Sequence, residues 1–516
     1  MLAARPQIVR RKPNRGTKVR MASVPAPVGG WNARDSLAEM DPKDAVLLDN
    51  WFPAQGQCEM RAGYTSHATG MGTNVQTLGE FNAGSARKMF AAANGHIWDC
   101  TAAAAATSLA SGFSNDKWQW AQFDDATGGA RVGLVNGEDA PQIYNGSTVA
   151  AMTISGSGLT TTTLDGIFIF KGRSYFWSTA DQDFWYSATG ALGGSLTNFP
   201  LGRVTGSGGN LICVGSWSRD AGDGQDDLIA FILSSGDCLV YQGSNPGDST
   251  DWALIGAFKI GAPLGIRAAV KVGGDLIIIT RDGYVSLGQM MATGRNESKA
   301  ISDKIRKAVL SAADLYSGNW GWQALLYPAK NMGIFNVPLS ATTFQQHVIN
   351  TLTGAWCRFK GINAQTFALY NDELYFGGAG VVYKALTGQD DNGDPITAKG
   401  QTAWNYLGSN VKKRFTGMRH LLELSGSLTF DAGLATDFSL ITGEPVESSD
   451  VVVASDWDDA VWDVASWSDE SVISDQWIGA DADGYNVSSQ LTIVSSTRTA
   501  NWLGTHYVYE PGRSTF

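Results

Sequence analysis

The stretch KMFAAANGHIWDC, residues 88–100, reads as a complete hairpin: an apolar run, an Asn-Gly pair, and a second run that mixes branched and aromatic residues with polar ones. Asn94 and Gly95 tolerate the positive φ of a two-residue turn, so the chain reverses there and the two runs pair. The theme returns as RVGLVNGEDAPQIYNG (131–146), GIFIFKGRSYFWS (166–178), DLIAFILSSGDCLVYQ (227–242), DLIIITRDGYVSL (275–287), KNMGIFNVP (330–338) and TFALYNDELYFG (366–377). Asn136-Gly137 and Asp282-Gly283 carry the same turn chemistry. Successive themes lie about 35 to about 60 residues apart, which brackets the roughly 40–50 of a four-stranded propeller blade. A single blade cannot bury both faces, so blades stack in a ring. The reading is a mainly β chain: an irregular β-propeller of six or seven blades over 66–387, a β-rich platform and few short helices. Because the spacing is uneven and no WD or kelch signature occurs, a β-sandwich array is the alternative arrangement.

Composition agrees. At 516 residues with 43% apolar side chains the chain can bury several cores, while 61 Gly, 18 Trp and only 17% charged residues suit short strands and tight turns. No run of about 18 apolar residues is present, so no membrane-spanning helix is expected. The N-terminus is basic without an apolar centre, unlike a secretory signal, and Pro6, Pro13 and Gly16 spoil the amphipathic helix of a transit peptide. Five widely spaced cysteines without a CxxC pair are expected to be free, mostly buried thiols, which fits assembly in a reducing cytoplasm.

Charge is segregated. The net charge is -11, yet residues 1–34 carry eight Lys/Arg and no acid, and 421–497 carry fifteen acids and no Lys or Arg. The two ends are suited to partners of opposite sign.

Four segments follow. Residues 1–24 are expected to form a flexible basic arm, with Arg5, Arg10, Arg11, Lys12, Arg15, Lys18 and Arg20 as the candidate contact to an acidic partner. In 25–65, Asp41 as N-cap, Pro42 at the first position and the Ala45–Leu48 run predict a short helix, anchored on a platform by Trp31, Trp51 and Phe52. Residues 66–387 form the propeller; within it 298–318 is predicted helical, with Ile301, Ile305, Val309 and Ala312 inward and Lys304, Arg306 and Lys307 outward. After the turn-rich junction 388–395, the alternating patterns of 388–516 predict a separate β platform or sandwich.

Motifs for chemistry are missing. The five histidines form no HxH or HExxH cluster, and there is no GxxxxGK[ST] loop, no GxSxG elbow and no SxDxGxTW box. TGSGGN (205–210) lacks the context of a dinucleotide site. Asp481-Ala-Asp483-Gly484 and Asp456-Trp-Asp458-Asp459 lack the ligand spacing of a calcium loop and read as solvated acidic turns. Trp457, Trp462, Trp467 and Trp477 read as packing residues, an intersubunit or carbohydrate face being the alternative. No catalytic residue, cofactor or metal is expected.

The blocks APVGGWNARDSLAEMDPKDAVLLDNWFPAQGQCEMRAGYTSHATG (26–70), GNWGWQALLYPAKNMGIFNVP (318–338), TGAWCRFKGINAQTFALYNDELYFGG (353–378) and THYVYEPG (505–512) carry a resemblance. The chain resembles the tail nozzle proteins of short-tailed bacteriophages, also called tail tubular protein B or DNA-stabilisation tail hub; the first block is the most specific. The resemblance implies a non-enzymatic virion protein, assembled in the bacterial host cytoplasm. It would form a homo-hexameric ring beneath a dodecameric adaptor, with an axial channel that holds and then conducts genomic double-stranded DNA. A tail fibre and a distal needle or plug are further partners of such rings. For the acid-only tract the expectation is a channel wall: Asp456, Asp458, Asp459, Asp463 and Asp475 would repel phosphates within a Debye length of about 8 Å, letting the duplex slide. Acids on an outer solvated face are the plainer reading. A propeller-type receptor-binding adhesin and a polysaccharide depolymerase are the alternative functions.

Overall fold

The computed structural model describes residues 18–84, 86–126, 128–204, 207–218, 227–293, 300–441, 443–447, 472–474 and 476–512. It is mainly β. Six small sheets form propeller blades: 77–111, 119–151, 166–199, 211–259, the three-stranded 269–286, and 366–385. The sixth takes its outermost strand from the other end of the chain, Tyr64–Ala68 pairing antiparallel with Val382–Ala385, and this closes the ring. Adjacent blades bury apolar faces against each other, as where Phe184 stacks on Phe231 at 4.6 Å between the third and fourth.

Turn chemistry sets the hairpins. Asn94 (φ 56) and Gly95 (φ 68) make the expected two-residue turn, and Lys171-Gly172 and Asn371-Asp372 do the same. Two expected turns differ. Asn136 spends its side-chain oxygen on the N–H groups of Glu138 and Asp139, which organises a longer loop between strands ending at Val135 and resuming at Gln142. Thr280 pairs with Gly283, so the second turn is Arg281-Asp282, one residue early.

A four-strand meander, Gln323–Tyr327, Met332–Pro338, Phe344–Asn350 and Trp356–Lys360, stands between the fifth and sixth blades, its first strand touching Ala269–Val272 on one side and Thr366–Tyr370 on the other. It takes a place in the ring without being self-contained. Its last strand meets Asp44–Asp49, and the pairing runs on through Ile396–Thr402, Val487–Ser495, Thr429–Thr436 and Glu444–Glu447 to make a 10-stranded sheet. A second, 7-stranded sheet is built on the paired 12-residue strands Lys413–Leu424 and Ala500–Pro511. One hydrophobic cluster, including Trp217, Tyr284, Trp356, Trp51 and Trp502, runs from the fourth and fifth blades through the meander into both platform sheets.

Several expectations are corrected here. The predicted helix near 41–50 is the strand Asp44–Asp49: it pairs with three other strands, and their ladder hydrogen bonds outweigh the weak helical preference of one short apolar run. The arm does not extend to residue 24, because Arg20–Pro25 adds an edge strand to Ala500–Pro511 and its backbone is paired there. The platform is not a separate 388–516 unit either; it draws strands from residues 20–60 and 323–360 as well, since no one segment supplies enough strands to bury both faces. The helix within 298–318 is Arg306–Tyr316, preceded by a 3-10 turn at Asp303–Ile305, with Ile305, Val309 and Ala312 buried as the periodicity requires. Lys304 departs from the expectation and points inward. A second helix, Leu287–Thr293, was not evident in the pattern.

Candidate functional site at the junction of propeller and platform

Residues 29–63 thread between the propeller, the meander and both platform sheets, and the chain is shaped for the passage. Gly30 has φ 83, and a Cβ there would lie 2.6 Å from the backbone N and O of Trp356; one on Gly29 would lie 2.3 Å from a carboxylate oxygen of Asp44. The Gly29-Gly30 pair is therefore a steric requirement of the slot. Asp41 uses its side chain and carbonyl to take the N–H groups of Lys43 and Asp44, at 2.8 and 2.9 Å, so its capping chemistry starts a turn and not a helix.

All three anticipated anchors are buried: Trp31, Trp51 and Phe52. Trp31 meets the edge of His347 at 5.6 Å, and the Arg358 guanidinium lies over its ring at 5.1 Å. Trp51 packs on Trp502 at 5.9 Å, and opposite them Gly400 is bare because a Cβ would come within 2.6 Å of the Trp502 ring. Phe52 lies in the strand Trp51–Pro53, paired to Cys58–Met60.

Around the anchors is a set of ion pairs that the sequence did not reveal. Buried Asp44 receives Lys304 Nζ at 2.6 Å and Asn32 Nδ2 at 2.8 Å, and Lys304 also donates to the Gly29 carbonyl. Asp49 accepts from Arg358 at 2.7 and 2.9 Å and pairs with Lys360 at 2.9 Å. Arg61 makes two bonds to Asp391, at 2.7 and 2.6 Å, and gives its other donors to Asn50 Oδ1, Ala62 O and Lys360 O. A guanidinium with every N–H used, facing one carboxylate bidentately, is the geometry in which a buried pair holds three segments together. No local signal marks Arg61 or Asp391 as partners, because they lie 330 positions apart.

The buried histidines and cysteines, unlike the ion-paired groups, are held neutral. His347, bonded through Nδ1 to the Tyr284 hydroxyl at 2.8 Å, is lowered to about 3 by burial and by nearby Arg358. His420, bonded to Thr505 at 2.9 Å, is lowered to about 4 by burial. The five cysteines are free and buried, and burial pushes the Cys213 thiol up to about 12, leaving little thiolate for chemistry.

Arg267, just before the first strand of the fifth blade, ties together the first, second and sixth blades. Its donors go to Gln119 Oε1, the Gln76 and Trp118 carbonyls and the Thr77 and Thr366 hydroxyls, at 2.8–3.2 Å, and Trp320 covers it at 4.9 Å. It has no carboxylate partner among the described residues. Burial lowers it to about 10, so it remains charged at neutral pH. Arg267 lines a cavity of about 570 Å³, and Trp320, packed over its guanidinium, lines another of about 730 Å³.

The remaining anticipated residues separate. Lys18 is exposed and Arg20 is in the edge strand, whereas Arg5, Arg10, Arg11, Lys12 and Arg15 lie outside the described residues. So do Asp456, Asp458, Asp459, Asp463, Asp475, Trp457, Trp462 and Trp467. Trp477 is exposed, with Arg419 over its ring at 4.7 Å. Asp481 and Asp483 are in the strand Ile478–Gly484 and pair with Arg414 and Lys412, so 481–484 is an ion-paired strand and not a turn. Among the described residues no group of three or more His, Cys, Asp or Glu is placed to hold a metal ion, and no helix is long and apolar enough to cross a membrane.

No protein-family model and no curated sequence matches the chain. Solved structures do. The extracellular domain of a putative one-component system, BT4673 from B. thetaiotaomicron, aligns at 10% identity and TM-score 0.41, over 77% of this chain and 58% of that one. Raptor of Chaetomium thermophilum aligns at 11% and 0.39, over 63% and 30%, and BBS1N, crystallised in complex with ARL6DN, at 8% and 0.38, over 64% and 99%.

Proposed function

We propose that this chain is a structural subunit of a short bacteriophage tail: six copies form a nozzle ring below a dodecameric adaptor, and the axial channel retains and then conducts the genome. The observation that carries the reading is where the most specific block of the resemblance, 26–70, lies in the fold. It threads the slot, supplies strands to both platform sheets and closes the propeller ring, so the residues of the block tie propeller and platform together. A chain tied together through its backbone ladders suits a part that bears load.

The basic N-terminal residues face the adaptor in this reading, and the acid-only tract faces the channel. Its described part is consistent with a phosphate-repelling wall: Asp431 and Glu447 are exposed on one face of the edge strands of the 10-stranded sheet. Tail fibres and a distal plug dock on the ring from outside. Class averages by electron microscopy of the purified protein, alone and mixed with its adaptor, test the proposal. Six-fold rings that stack on the adaptor are expected; a protein that stays monomeric in both samples, or releases sugar from capsular polysaccharide, overturns it.

A further inference from the structure

The 730 Å³ cavity opens on the propeller face formed by the loops that lead into the inner strands. Its walls come from the second to fifth blades and from the residues preceding the meander, so a ligand there would touch most of the ring at once. The volume falls within the range of small-molecule sites, about 300–1,000 Å³. Polar groups line it: the side-chain amide of Asn115 and the Thr179 and Ser234 hydroxyls stand beside the indole of Trp320, whereas the Asn136 amide in the same wall is spent on Asn115, Glu138 and Asp139. Amides, hydroxyls and one aromatic plane are the groups that recognise a ring carrying hydroxyls, and there is too little apolar wall for a lipid or a hydrophobic peptide.

Charge narrows the class. Lys117 and Arg281 line the cavity, are exposed, and have no ion-pair partner among the described residues; Lys117 lies over the Trp320 ring at 5.3 Å, and Arg281 donates to Ser317 at 3.3 Å. Two acids share the lining: Glu138, and Asp165, whose carboxylate is occupied by the N–H and hydroxyl of Thr179. The four charges cancel. Arg267, adjoining the cavity beneath Trp320, adds one buried positive charge without a carboxylate partner, and its donors are already spent on the protein. It therefore acts through its field, which in a low-dielectric setting favours a single negative charge above it.

We propose that this cavity binds an acidic sugar residue, a ring of hydroxyls carrying one carboxylate, with Lys117 and Arg281 meeting the carboxylate and Trp320, the Asn115 amide and the Ser234 hydroxyl meeting the ring. A dianionic phosphate is disfavoured, since the net excess is one charge. The inference does not depend on ring assembly, and it would give the propeller a role in contacting an acidic surface glycan.

The test is ligand-observed NMR and calorimetry on the full chain, with glucuronate as probe and glucose, acetate and glucose 6-phosphate for comparison. Glucuronate binding that is at least tenfold tighter than any comparison compound, and that weakens at least tenfold in Lys117→Met and Arg281→Met, is expected. Both side chains are exposed, so the variants should melt as the parent does, and a melting curve checks it. No glucuronate binding to the parent protein, equal binding of acetate, or binding unchanged in both variants overturns the proposal. A Trp320→Leu variant provides the second arm: loss of glucuronate binding with the melt intact supports the indole's role, and retention refutes it.

Discussion

At the scale of single residues, burial decides which ion pairs matter. Arg61 and Asp391 are almost fully enclosed, whereas Arg414 and Asp481 are open to solvent. Breaking a buried pair strands the surviving charge, so Asp391→Asn should destabilise by about 3–5 kcal/mol, whereas Asp481→Asn should cost less than about 1 kcal/mol. Urea unfolding of the two variants side by side checks the contrast, and similar losses would refute it. Trp31, Trp51 and Phe52 were readable as buried anchors because large aromatics bury much apolar area and seldom remain in solvent. Arg61, Asp391 and Arg267 were not readable. A charged residue in a sequence looks alike whether it ends in water or in a fully bonded site, and only its distant partners decide which.

At the scale of elements, the passage of residues 29–63 depends on the space around its glycines. Gly30 and Gly56 have nearly the same backbone conformation, φ 83 and 84, but Gly30 faces the Trp356 backbone and Gly56 faces open space. Gly56→Ala should lose only the left-handed penalty, about 1–2 kcal/mol. Gly30→Ala adds a steric overlap with backbone that cannot rotate away, about 1–3 kcal/mol more. Thermal melts of both variants measure the difference; equal shifts would mean that the slot relaxes. The hairpins at Asn94-Gly95 and Lys171-Gly172 follow from local chemistry, since a two-residue turn has no other means of reversing. Asp44–Asp49 shows the opposite case: six residues with capping signals for a helix become a strand, because their hydrogen-bonding partners arrive from positions more than 300 residues away.

At the scale of the whole molecule, two neutral histidines tie stability to pH. His347 and His420 are lowered to about 3 and about 4, well below the 6.5 of an exposed imidazole, so between these values the unfolded chain binds more protons than the folded one. Stability is then complete above about pH 6.5 and falls as the solution is acidified, by up to about 1.4 kcal/mol per pH unit for each histidine. Urea midpoints between pH 7.5 and 4.5 should follow that slope, and His347→Asn should flatten it; a slope unchanged in that variant would assign the acid sensitivity elsewhere. What the sequence determined by itself was the class of the fold, the main hairpins and the buried aromatics, because turn chemistry and alternating burial act over a few residues. What only the tertiary structure decided was that the platform is assembled from three separated parts of the chain, that its entering segment is a strand, and that one guanidinium ties three blades of the propeller together. Those outcomes rest on backbone hydrogen bonds and buried charges satisfied by groups hundreds of positions away, and no local pattern encodes such distances.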